Sequence, residues 1–230
     1  MEWVLDNIAP AADAPSAQDL LGAAGISGAT RRGGIKQPRA YAVRLKELII
    51  HNNLAWFGEG DIRLDALIVH GNASQSNTSD FYSPTTFSFP RVADGEALAI
   101  GESGLLLFLG KPRYFLDVFL LVSRDRHKLD NLANLLSRNL SSKDFEHVAS
   151  PLLALAASEI TSAAIGLALR AAVEVGDLAY QVVSAVATNT IGLYRTSFLQ
   201  SADNFGLGKH PESGYLTVKD LSFRYEILPS

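Results

Sequence analysis

The sequence predicts an α+β domain: an antiparallel β-sandwich or twisted sheet packed by a C-terminal helical hairpin, with a final strand returning to the sheet. Three observations predict it. Residues 41–123 carry short apolar runs rich in β-branched and aromatic side chains, separated by Gly, Pro, Asn and Asp. Residues 127–200 carry apolar side chains at three- and four-residue spacing among many alanines. Residues 215–227 alternate apolar and polar side chains once more.

Composition bounds the rest. With 230 residues, 47% hydrophobic and 19% charged, the chain suffices for one substantial core, so residues 41–230 read as a single domain. There is no cysteine, which excludes disulfides, thiol catalysis and thiolate metal sites. A net charge of -4 and a pI near 5.7 argue against a nucleic-acid partner, because phosphate binding needs Lys and Arg massed on one face. Met1-Glu2-Trp3-Val4-Leu5-Asp6 has neither the basic nor the apolar region of a secretory signal, so a cytoplasmic protein is expected.

Residues 1–40 are rich in Ala, Gly, Pro and Asp without sustained periodicity, and read as a flexible tail or linker. Trp3, Val4, Leu5 and Ile8 offer it an apolar anchor. At its far end the dibasic Arg31-Arg32, beside glycines, is a candidate cleavage site.

Strands are predicted near 41–51, 62–70, 84–92, 96–100, 104–110 and 114–123. The run Tyr114-Phe115-Leu116-Asp117-Val118-Phe119-Leu120-Leu121-Val122 is almost continuously apolar, which fits a central strand covered on both faces. The polar stretch from Asn72 to Pro84 reads as an exposed loop, and Gly101-Glu102-Ser103-Gly104 as a hairpin turn.

In the helical part, Leu129, Leu132, Ala133, Leu136 and Leu140 form one apolar stripe. Ser150-Pro151 marks the start of a very apolar helix to Val175, on which Glu159, Arg170, Glu174 and Asp177 share one wet seam. A second helix is predicted from Asp177 through Tyr180, Val183, Val186 and Leu193 toward Phe198. The longest uncharged stretch there, Leu178 to Tyr194, is 17 residues with several polar side chains. That is short of the roughly 20 apolar residues of a membrane span, so the helices are expected in the core. The last strand is predicted over 215–227 with one irregular step near Lys219-Asp220.

Asp61, Asp65, Asp125 and Asp130 lie near predicted strand ends, where carboxylates can converge on calcium. Through Asp61-Ile62-Arg63-Leu64-Asp65-Ala66-Leu67-Ile68-Val69 and Phe119-Leu120-Leu121-Val122-Ser123-Arg124-Asp125-Arg126, residues 41–125 resemble a C2-type β-sandwich. The resemblance lies in strand pattern: it departs from the calcium-binding members because Arg124, Arg126 and Lys128 sit among the aspartates and no dense Asp-x-Asp loop is present.

Arg124, Arg126, His127 and Lys128 together suit a phosphate or an anionic headgroup, with Asp125 and Asp130 partly neutralising them. Gly206-Leu207-Gly208-Lys209 precedes His210-Pro211, where no helix can start, so it reads as a surface turn with Phe205 tucked beneath, not as a phosphate loop. No His-Glu-x-x-His and no Gly-x-Ser-x-Gly occurs. The function expected is a noncatalytic binding or assembly module without a cofactor, whose partner is another protein. The contact surfaces are the exposed Trp56-Phe57 loop, the cluster from Arg124 to Lys128, the polar loop and the tail. One alternative is a membrane-active effector released by cleavage at Arg31-Arg32; another is a hydrolase whose site assembles only in three dimensions.

Overall fold

The computed structural model describes residues 2–5, 40–70, 82–113, 115–124, 174, 177, 181 and 190–230. In chain order its elements are Glu2–Leu5 (β1), Tyr41–Ile50 (β2), Gly60–Val69 (β3), Tyr82–Val92 (β4), Glu96–Ala97 (β5), Leu105–Gly110 (β6), Phe115–Arg124 (β7) and Thr190–Leu199 (β8). A short helix, Gln200–Asp203 (α1), and a 3-10 turn, Asn204–Gly206, lead into Gly208–His210 (β9), Leu216–Val218 (β10) and Leu221–Pro229 (β11).

Among the described residues all strand pairings are antiparallel. One sheet runs β1-β8-β7-β3-β4; the other runs β10-β11-β2, with β5 and β6 successively on the far side of β2 and β9 beside β10 along β11. Alternation decides which side chains meet between them. From β2, Tyr41, Val43, Leu45, Leu48 and Ile50 enter one core with Ile62, Leu64, Ala66 and Ile68 of β3, Leu116, Val118, Leu120 and Val122 of β7, and Phe223, Tyr225 and Ile227 of β11. The period slips at Lys46-Glu47, where β2 bulges: Glu47 faces Arg224 and Leu45 faces Tyr225, leaving Lys46 over. Tyr194 of β8 and Tyr225 of β11 join the two sheets through their buried hydroxyls, 2.9 Å apart, so each ring supplies apolar bulk without an unpaired polar tip.

The predicted α+β class, with a helical hairpin laid over the sheet, is overturned: 64% of the described residues are strand. Glu174, Asp177 and Gln181 are helical, but from Thr190 the chain is extended where the second helix was expected to continue to Phe198. The reason lies in residues 190–199, Thr-Ile-Gly-Leu-Tyr-Arg-Thr-Ser-Phe-Leu. Here β-branched and aromatic residues favour strand, Gly192 weakens a helix, and Tyr194, Thr196 and Phe198 alternate inward against Arg195, Ser197 and Leu199. Most of the expected first helix lies outside the described residues.

Other expectations shift in detail. The final strand is two: Lys219-Asp220 is a tight turn, with Lys219 at φ 50, that folds β10 back on β11. Gly101-Glu102-Ser103-Gly104 closes a turn, Gly104 N–H donating to Gly101 O at 3.2 Å, but joins no hairpin, since β5 and β6 are collinear pieces of one edge beside β2. Gly104 holds φ 74 with the Leu45 carbonyl oxygen 2.5 Å from where a Cβ would sit. Of the stretch expected to be a polar loop, Tyr82, Ser83 and Pro84 already lie in β4, and the rest lies outside the described residues. Glu2–Leu5, at the head of the expected tail, pairs with β8 as an edge strand. Among the described residues no helix is long and apolar enough to cross a membrane.

β7 is buried on both faces, as its composition predicts. Leu116, Val118, Leu120 and Val122 meet the core, while Phe115, Asp117, Phe119, Leu121 and Ser123 are equally shielded on the opposite face. Asp177 comes from the chain between β7 and β8 and touches that opposite face through Arg195. Of the seam expected to stay wet, Glu174 is exposed, and Asp177 is half-buried against Arg195 with 39% of its side chain open to solvent.

Candidate interaction site

Where β2 ends, the chain makes a loop back to β3. His51 N–H donates to Asp220 O at 2.7 Å, holding the exit, and Asn52 Oδ1 accepts from Leu54 N–H at 2.9 Å. Asn53 is the pillar: its side chain is buried and makes three hydrogen bonds. Nδ2 donates to Gly58 O and Val92 O, both at 2.8 Å, and Oδ1 accepts from Ala55 N–H at 2.7 Å. Its own N–H donates to Asp94 Oδ1 at 2.7 Å, tying the loop to the turn after β4. From the end of β7, Arg124 Nη1 donates to Leu54 O at 3.0 Å. Leu54, left-handed at φ 57, packs against the core, and Gly58 at φ 66 turns the chain back.

On this fixed base stand Trp56 and Phe57, 91% and 89% exposed. Isolated exposed apolar residues are ordinary, but two adjacent aromatics displayed by a loop with a buried polar brace form a presented surface. The charges around it are mainly acidic: Glu59, Asp94 and Glu96 are exposed, with Arg91 among them. Asp61 lies at the same end, accepting Arg91 N–H at 3.1 Å.

Of the other residues singled out from sequence, Asp65 sits further along β3 and is buried, with Arg63 Nε at 2.8 Å and Thr86 Oγ1 at 2.7 Å. Four strand positions separate it from Asp61, about 13 Å, so the two carboxylates do not converge on one ion. The segments that carry the C2 resemblance fall on β3 and β7, which are paired neighbours. Asp125, Asp130, Arg126, Lys128, Arg31 and Arg32 lie outside the described residues. Among those described, no group of three or more His, Asp or Glu is placed to hold a metal ion.

Two polar groupings escaped sequence reasoning. On the outer face of the second sheet, His51 Nε2 lies 2.7 Å from Ser222 Oγ, which also meets Thr217 Oγ1 at 2.9 Å. His51 is exposed, Ser222 is buried, and among the described residues no carboxylate side chain is hydrogen-bonded to the His51 ring; the arrangement links strand ends. On the covered face of the first sheet, Asp117 is enclosed near Arg195 and Asp177, and burial pushes its carboxyl up to about 6, against the opposing pull of the Arg195 guanidinium. A lone Asp in an apolar run was the available signal for it; nothing in the sequence pointed to its partners. No known protein family, curated protein or solved structure matches this chain.

Proposed function

We propose that this chain is a noncatalytic binding module that engages another protein through the Trp56-Phe57 loop. One observation carries the reading: both aromatic side chains stand in solvent on a loop whose base is fixed by the four hydrogen bonds of Asn53. A loop ordered in advance loses little conformational entropy on binding, and Trp with its neighbouring aromatic is the kind of anchor that concentrates interface energy when it enters a partner's pocket. The acidic setting of Glu59, Asp94 and Glu96 favours a pocket with a basic rim over an anionic lipid surface, which these charges would repel.

The test compares the wild type with the double variant Trp56→Ala/Phe57→Ala, by native mass spectrometry of what each retains from its source extract and by flotation with phosphatidylcholine and phosphatidylserine vesicles. The reading requires a protein retained by the wild type and lost from the double variant by about tenfold or more, the effect of removing two anchors, with no vesicle binding. Retention of every partner by the double variant, or vesicle binding that depends on the two aromatics, would sink it.

A further inference from the structure

The four outermost positions of the two sheets are not defended alike. On the first sheet β4 carries Pro84 and Pro90 and a left-handed Arg91 at φ 54, the devices that keep an edge from pairing with another chain. On the second sheet β6 reads Leu105-Leu106-Leu107-Phe108-Leu109-Gly110, with no charge and no proline and a single bulge as its protection. Its inner edge pairs with β2; among the described residues nothing pairs with its outer edge.

The side chains repeat the message. Leu107 is an extra residue between the pairs Val43↔Phe108 and Arg44↔Leu106, and this bulge turns both Leu107 and Phe108 into the core. Leu106 and Leu109, three apart, are thereby left together on the outer face, 40% and 58% exposed. Leu109 also heads an apolar row: it faces Ala42 on β2, which faces the exposed Leu228 on β11.

We propose that two copies of this chain associate through the β6 edge, Leu106 of one copy facing Leu109 of the other across a twofold axis between Leu107 and Phe108. A twofold contact must be self-complementary, and this edge is. In that antiparallel register the two exposed leucines cover each other twice. The ends agree too: exposed Glu102 precedes the strand and exposed Lys111 follows it, so antiparallel approach brings the acidic end of one copy to the basic end of the other. A parallel approach would set like charges together. The inference is independent of the Trp56-Phe57 loop, which lies on a different connection.

Sedimentation equilibrium of the full chain between about 1 and about 200 µM tests it, since so small an interface belongs to the weak class with a Kd of roughly 10–100 µM. The wild type is expected to dimerise reversibly, Leu106→Lys and Leu109→Lys to raise the Kd about tenfold or more, and both variants to keep the wild-type thermal midpoint because the replaced side chains are exposed. Glu102→Lys weakens the dimer, and adding Lys111→Glu to it restores the wild-type Kd. This charge exchange decides the question even where a leucine variant misfolds. A wild type monomeric throughout, a dimer unaffected by the lysine substitutions in folded protein, or a charge exchange without rescue overturns the proposal.

Discussion

Arg195 on β8 stands directly across from Phe119 on β7, lays its guanidinium over that ring at 5.1 Å, and reaches diagonally to the enclosed carboxylate of Asp117 at 3.7 Å. Its other nitrogen holds Asp177 at 3.1 Å. One cation thus joins two neighbouring strands to the chain that connects them. At 3.7 Å the contact with Asp117 is an ion pair without a close hydrogen bond, so it offsets only part of the cost of taking the carboxylate out of water.

That imbalance gives a pH dependence with a definite sign. Burial raises the folded carboxyl of Asp117 from 3.8 to about 6, so between those values folding takes up a proton. Stability from this group is therefore full below the lower value and is lost as pH rises through the upper one, by about 3 kcal/mol in all. Asp117→Asn should abolish this slope and leave the protein no less stable than the wild type at pH 7. Urea midpoints from pH 4 to pH 8 check it; a variant that keeps the wild-type slope refutes the assignment.

Asp65 was a candidate calcium ligand by position, yet its carboxylate oxygens are engaged by Arg63 and Thr86 within the sheet. Asp65→Ala should cost about 3–5 kcal/mol, because Arg63 then remains buried without this counter-ion. Chemical denaturation with calcium and with a chelator should give the same loss. A loss seen only with calcium present would return Asp65 to the role of a ligand.

At Gly192 of β8 the β10-β11 hairpin of the other sheet comes close. A Cβ there would overlap the Leu221 side chain and sit 3.0 Å from the Val218 carbonyl oxygen, so the buried Leu221 must shift and the β10-β11 hairpin must give slightly. Gly192→Ala should destabilise by about 1–3 kcal/mol, as overpacking does, and Gly192→Val by more. Thermal unfolding of both variants measures it, and an Ala variant as stable as the wild type would show that the approach is looser than it looks.

How much of this was legible depends on the range of the interactions. Strands β2, β3, β4, β6 and β7 were readable because alternation and β-branched content are local, and the double burial of β7 followed from its unbroken apolar run. β8 was lost because an alanine-rich stretch ahead of it imposed a helical reading, which hid the alternation of Tyr194, Thr196 and Phe198. The β10-β11 turn was softened to an irregular step because Lys219 gives no turn signal of its own, although it adopts a left-handed φ. The Trp56-Phe57 loop was visible as aromatics beside Gly58, but its rigidity was not. In His51-Asn52-Asn53, sequence alone does not say which asparagine is buried, and the partners Val92 and Asp94 lie about forty residues away.

Separating that rigidity from the aromatic surface gives the last prediction. Trp56→Ala and Phe57→Ala remove side chains that touch solvent almost everywhere, so each should change stability by less than about 0.5 kcal/mol. Asn53→Ala leaves the carbonyls of Gly58 and Val92 without their donor and the Ala55 N–H without its acceptor, the Val92 carbonyl being buried and the other two partly so. It should cost about 2–4 kcal/mol and open the loop to proteolysis near Phe57 well below the global unfolding temperature. Thermal unfolding and limited chymotrypsin digestion of the three variants read both effects. Binding then orders them differently from stability: the aromatic variants lose affinity at unchanged stability, while Asn53→Ala loses affinity because the same aromatics must be ordered anew at each encounter. If Asn53→Ala left both digestion and binding as in the wild type, the loop would not owe its form to this side chain.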